Sequence, residues 1–202
     1  MELETVRLGG ADELSSSPAV YVDDLKAPNK AKQLYEQGIS RLRRQQWREA
    51  QRLLEKSIKI YPEFSAAYNA LGIAASENEE FEVANAAFRE AIQIRKNYSE
   101  AYLNLARFLI RQERFKESAL LLNELISFDK GNRAAITLLV ECLFAQQKFD
   151  EVIGLVHEIH LKHVAHDFSV HRFTLEIYQQ RGMTRESEAE NVVIAAESHI
   201  NP

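Results

Sequence analysis

The chain holds little that punctuates or braces a fold. Four prolines and seven glycines in 202 residues leave no room for a loop-rich or all-β architecture. A single cysteine, Cys142, excludes an internal disulfide framework, and its setting in an apolar helical stretch predicts a buried, inert thiol. Basic residues are outnumbered, 25 against 30 acidic ones, and the net charge of −5 argues against a nucleic-acid binder. No run approaches the roughly twenty apolar residues of a membrane span, and no basic start leads into an apolar signal-type run. The expectation is a soluble protein, cytoplasmic by default, or periplasmic or exported if the sequence is a piece lacking its signal peptide. Catalytic text is missing too. With no nucleophile elbow, phosphate-cradling glycine loop or paired carboxylates, neither enzyme activity nor a cofactor is expected.

What is present is a period. Trp47, Phe81, Phe115 and Phe149 follow one another at intervals of thirty-four residues, and Met183 falls on the next mark. Between the marks, apolar residues recur three and four apart in blocks of about a dozen, split by short polar turns. The pattern predicts helices near 30–44, 48–60, 65–77, 82–95, 99–111, 116–128, 133–146, 150–162, 168–181 and 184–198. Turns this short make neighbours antiparallel, so the unit is a helical hairpin that buries its open face by stacking on the next. Residues 1–28 read differently. Leu3, Val6 and Leu8, then Ala19 to Val22, are short extended candidates of an N-terminal arm, and Pro28-Asn29 marks a helix start with Asn29 as cap.

These residues resemble the tetratricopeptide repeat. The clearest copy runs Tyr68, Leu71, Gly72, then Ala84, Phe88 and Ala91. The copy before it keeps Gly38, Ala50, Leu54 and Pro62; the one after keeps Tyr102, Leu105, Ala106, Leu122 and Leu125. A looser fourth has Leu139, Val140, Val152, Val156 and Ile159. The resemblance implies an all-α, right-handed solenoid of about ten helices, with repeats near 31–64, 65–98, 99–132 and 133–166 and a degenerate capping hairpin at 167–198. Gly38, Gly72 and Ala106 are expected where two helices approach closely, with Val140 and Thr174 continuing the series and splaying the later hairpins. The ladder aromatics are expected in the core. In the last helix, Ala189, Val192, Val193 and Ala196 form an apolar stripe with glutamates opposite.

The same resemblance puts the first helix of each hairpin on a concave groove that binds a protein or peptide. It assigns Lys32, Tyr35, Ile39, Leu42 and Arg43, then Asn69, Ile73 and Glu77, then Leu103, Asn104, Arg107 and Arg111 to that groove. Thr137, Leu138, Glu141 and Phe144 follow, then His171, Arg172 and Leu175. Asn69 and Asn104 would bond a peptide backbone, and Arg107 with Arg111, four apart on one face, would anchor an anion. A chaperone-tail carboxylate clamp does not fit. It would need basic residues where Tyr35, Glu100, Ala134 and Leu138 stand.

Other features carry less. His157, His160, His163 and His166 recur at intervals of three, but each step falls about 60° short of a turn, so the four cannot share a face. Three of them, His157, His160 and His163, are weak metal candidates and no metal is expected. Arg41, Arg43, Arg44, Arg48 and Arg52 cluster at the first hairpin turn, where cations suit a helix end. The leading functional expectation is a protein-interaction scaffold. The alternative is a self-associating spacer within a larger, exported bacterial protein.

Overall fold

A computed structural model describes residues 26–161 and 169–198; of the arm expected over residues 1–28, all but residues 26–28 lie outside them. The described chain is all helix: α1 (Asn29–Arg43), α2 (Trp47–Ile60), α3 (Ser65–Glu77), α4 (Phe81–Ile94), α5 (Ser99–Arg111), α6 (Phe115–Phe128), α7 (Arg133–Ala145), α8 (Phe149–Leu161), α9 (Ser169–Gln180) and α10 (Thr184–Ser198). Every expected helix is there, each end within one residue of its expected place. One start signal works otherwise than expected. Pro28 is the N-cap residue of α1 and no side chain caps the helix. Asn29 is already helical, so its amide cannot reach back to the free N–H groups of the first turn.

The turn inside each hairpin is one repeated form. Gln45, Glu79, Glu113 and Gln147 all adopt positive φ, between 56° and 62°, at thirty-four-residue intervals. In the first, Gln46 N–H donates to the Arg41 carbonyl and Gln45 N–H to the Leu42 carbonyl, both at 2.9 Å. The same nested pair recurs from Glu80 and Glu79, from Arg114 and Glu113, and from Lys148 and Gln147. This is the Schellman close of a helix, which satisfies its last carbonyls and is most comfortable with glycine at the left-handed residue. Four of these turns hold Gln or Glu instead. Glu113→Gly is therefore expected to raise stability by about 0.5–1 kcal/mol in urea melts, by removing the cost of a Cβ at positive φ.

The fifth turn reveals a shift. Its left-handed residue is Gly182, thirty-five positions after Gln147, and α10 starts at Thr184. Met183 therefore does not continue the aromatic ladder. It occupies the turn position of Lys148, and Thr184 takes the place of the ring. By the same count Leu175, not Thr174, continues the small-residue series. The ladder residues themselves are only partly core: each is the first residue of its helix, Phe81 is 36% exposed, and Trp47, Phe115 and Phe149 are half-buried.

Contacts divide the chain into two compact units, separated within α5 between Phe108 and Leu109. In the first, α1–α2 and α3–α4 are close-packed hairpins. A Cβ added to Gly38 would lie 2.8 Å from Leu54 Cγ, and one on Gly72 would lie 2.5 Å from the Phe88 ring. The missing side chains are thus filled by a large neighbour sixteen residues on. Ala50 and Ala84, both 0% exposed, supply the matching close approach from α2 and α4. Leu42, Leu54, Leu71 and Ala74 join Ala50 in one core, and Ala31, Phe64 and Ala67 form another where the second hairpin meets α1. Ser57 is buried there and donates to the Ala31 carbonyl at 2.7 Å, so its hydroxyl is satisfied.

In the second unit the seam residues change. Val140 is 0% exposed there, and Leu139, Cys142 and Val152 are buried as well. Cys142 is buried as expected, and burial pushes its thiol up to about 11 despite a hydrogen bond with Ser118. At neutral pH it is therefore a thiol, not a nucleophile.

Candidate functional site

The first helices of the hairpins neighbour one another, α1 beside α3 and α7 beside α9. Within the first unit they set several expected residues half-exposed: Tyr35 and Ile39 on α1, Ile73 on α3, and Leu103, Asn104 and Arg107 on α5. Tyr35, Ile39 and Ile73 also pack against the core, which fixes their rotamers. Tyr35 lies 4.9 Å, centroid to centroid, from Phe64 at the entry to α3. Lys32 is half-exposed as well, and Arg43 and Glu77 are exposed.

Two first-unit expectations fail on burial. Leu42 is 0% exposed and belongs to the core with Leu54 and Leu71. It lies on the α1 face that meets α2, so it cannot line a groove. Asn69 is only 3% exposed, and its side-chain oxygen accepts from Asn104 Nδ2 at 3.0 Å. Its amide ties α3 to α5 rather than reaching a ligand. Asn104 remains half-exposed, and that bond uses just one of its two N–H groups. The pair thus joins a buried amide on α3 to a half-exposed one on α5.

In the second unit, Arg111 and Arg172 are exposed, while Thr137, Leu138, Glu141 and Leu175 are half-buried. Burial raises the Glu141 carboxyl above the ordinary glutamate range. The Thr137 hydroxyl is buried with no hydrogen-bond partner among the described residues. Phe144 makes tilted ring contacts with Phe149 at 5.5 Å and Phe173 at 5.0 Å, so it serves packing.

His171 is the third failure. It is fully buried, with Nδ1 2.7 Å from Glu190 Oε1. Glu190, expected on the solvent side of α10, has a side chain only 12% exposed, whereas Ala189 and Val193 are turned outward. Among the described side chains of α10, Ser187 and Glu190 are the ones turned inward. Tyr178 lies near: burial first, then the charges of Glu190 and Glu186, hold its phenol above the usual tyrosine range. The sequence pattern places Thr174 in the small-residue series and Glu190 among the glutamates of the last helix, and does not mark Tyr178. Their one signal is a polar residue at a position that is apolar in other copies.

Of the histidine series, His157 lies on α8, only the backbone of His160 is described, and His163 and His166 lie outside the described residues. Among the described residues no three His, Cys, Asp or Glu side chains converge on a metal position. In the basic cluster, Arg41 pairs with Glu49 at 3.3 Å and bonds Gln46 at 2.7 Å across the turn. No helix among the described residues is long and apolar enough to cross a membrane.

Stacked antiparallel hairpins, each with a first helix that keeps half-exposed side chains, define an all-α solenoid of the protein-interaction scaffold class. Two tetratricopeptide-repeat models match the sequence, over residues 35–99 and 75–131. The chain is a tetratricopeptide-repeat protein. Solved structures agree in fold. MamA (residues 41 to the end) from Desulfovibrio magneticus RS-1 superposes with a TM-score of 0.72 at 15% identity, covering 87% of this chain and 98% of that one. PilF of Pseudomonas aeruginosa gives 0.66 at 17% identity, over 83% and 76%. A putative kinesin light chain from Podosopora anserina, with nearly identical repeats of this type, gives 0.65 at 16%, over 85% and 96%. No curated protein matches in sequence.

Proposed function

We propose that the chain holds an extended or helical segment of a partner protein along the first helices of its first unit. The observation that carries this reading is the set Tyr35, Ile39, Ile73 and Asn104. It offers apolar surface fixed by the core beneath, and an amide held in place by Asn69. Rigid apolar pockets give a peptide affinity at low ordering cost, and a fixed amide reads its backbone. Arg107, on the same helix as Asn104, adds a positive charge for an acidic side chain or a terminal carboxylate.

Peptide display against the full chain tests this. Selected peptides are expected to bind the parent and to lose tenfold or more, roughly 1.5 kcal/mol, on Asn104→Ala combined with Ile73→Glu. Circular dichroism should show unchanged helicity. Peptides that bind the double variant as tightly as the parent would overturn the assignment.

A further inference from the structure

The fifth hairpin breaks the apolar pattern from within. Counting its one extra residue, Thr174 stands where Leu71, Leu105 and Leu139 stand in earlier copies. Glu190 stands where Leu53, Ala87, Leu121 and Leu155 stand. Thr174 is 2% exposed, and burying a hydroxyl and a carboxylate at leucine positions opposes folding unless both find partners. Each is satisfied in part. Thr174 donates its proton to the Val170 carbonyl at 2.9 Å, and one Glu190 oxygen meets His171. The lone pairs of Thr174 Oγ1 and the second oxygen of Glu190 stay outside those bonds. What remains is acceptor capacity with a negative charge.

These acceptors border a cavity of about 300 Å³, lined by Ile153, Val156 and His157 of α8, Thr174 and Tyr178 of α9, and Glu190 of α10. Ile153 and Val156 make part of its lining apolar, and a Cβ on Gly154, which also lines it, would meet no atom within 4 Å. The rest of the lining carries Glu190.

We infer that this cavity binds an alkyl cation, an ammonium or guanidinium on a short apolar stem. The N–H donors meet Glu190 and Thr174, the stem lies on Ile153 and Val156, and the Tyr178 ring offers a face to the charge. Anions are excluded by Glu190. The ligand is a free amine or guanidine, or the Lys or Arg side chain of a partner segment, since both present the same group. This site is distinct from the first-unit groove and stands or falls without it.

Calorimetric titration of the full chain with agmatine and with N-acetyl-arginine amide tests the assignment, with 1-pentanol as the uncharged control. Agmatine is expected to bind saturably at roughly millimolar concentration or below, and pentanol at least tenfold more weakly. Comparable binding of the arginine amide identifies a peptide side chain as the source, and binding of agmatine alone identifies a free small molecule. Glu190→Gln, which keeps an acceptor for His171, should weaken either probe tenfold or more. Val156→Phe, which restores the ring of Phe88, should remove binding. No saturable binding to the parent, or undiminished binding to Glu190→Gln, overturns the inference.

Discussion

Replacing Gly72 by valine is expected to lower the stability of the first unit by about 3 kcal/mol, read from the urea midpoint at unchanged slope. The Phe88 ring occupies the space that a Cβ would need, and Phe88 is itself 2% exposed and cannot swing aside. Gly72→Ala should cost less, about 1–2 kcal/mol, because alanine regains helix propensity while overlapping the same ring. The compensating change is written in the chain itself. The third copy carries Ala106 and Leu122 at the corresponding positions, so Phe88→Leu added to Gly72→Ala should recover most of the loss. A double variant no more stable than Gly72→Ala alone would show that the glycine serves something other than this contact.

The second large effect lies in the buried pair of the last hairpin. His171→Leu is expected to cost about 3 kcal/mol, because it leaves the largely buried Glu190 carboxylate without its partner. Removing both groups has the opposite sign. His171→Tyr with Glu190→Leu restores what earlier copies carry, Tyr68 or Tyr102 and Leu121 or Leu155, and should leave stability equal or up to about 3 kcal/mol higher. A double-mutant cycle measures the coupling directly, and additive single effects would refute the pairing.

The sequence made the helices legible because stacking forces a strict three-and-four apolar spacing, and the polar turns interrupt it at fixed intervals. Gly38 and Gly72 were legible for a related reason: glycine is costly in a helix interior, and these two recur at the same place in successive copies. The left-handed turns were not, since Gln45, Glu79, Glu113 and Gln147 are ordinary residues in an uncomfortable conformation. Nor was the one-residue shift, because Met183 happens to fall on the thirty-four-residue mark. A first helix has apolar residues on the face meeting its own hairpin as well as on the face left open. Leu42 and Asn69 belong to the former, Ile39, Ile73 and Asn104 to the latter, and spacing alone does not separate them. Glu190 misled because a glutamate among surface glutamates looks like solvent-facing text until its neighbour His171 is seen.

The recurring Schellman turn carries a consequence for how this chain can be rebuilt. Hairpins whose internal turns share one hydrogen-bond pattern and one length are interchangeable parts, and a segment of thirty-four residues can be duplicated or excised between them without disturbing the joint. The last hairpin is one residue out of step. A recombinant spliced across Gln147 and Gly182 on the thirty-four-residue rule would set α10 one residue out of register with the helix before it, turning Glu190 away from its inward position.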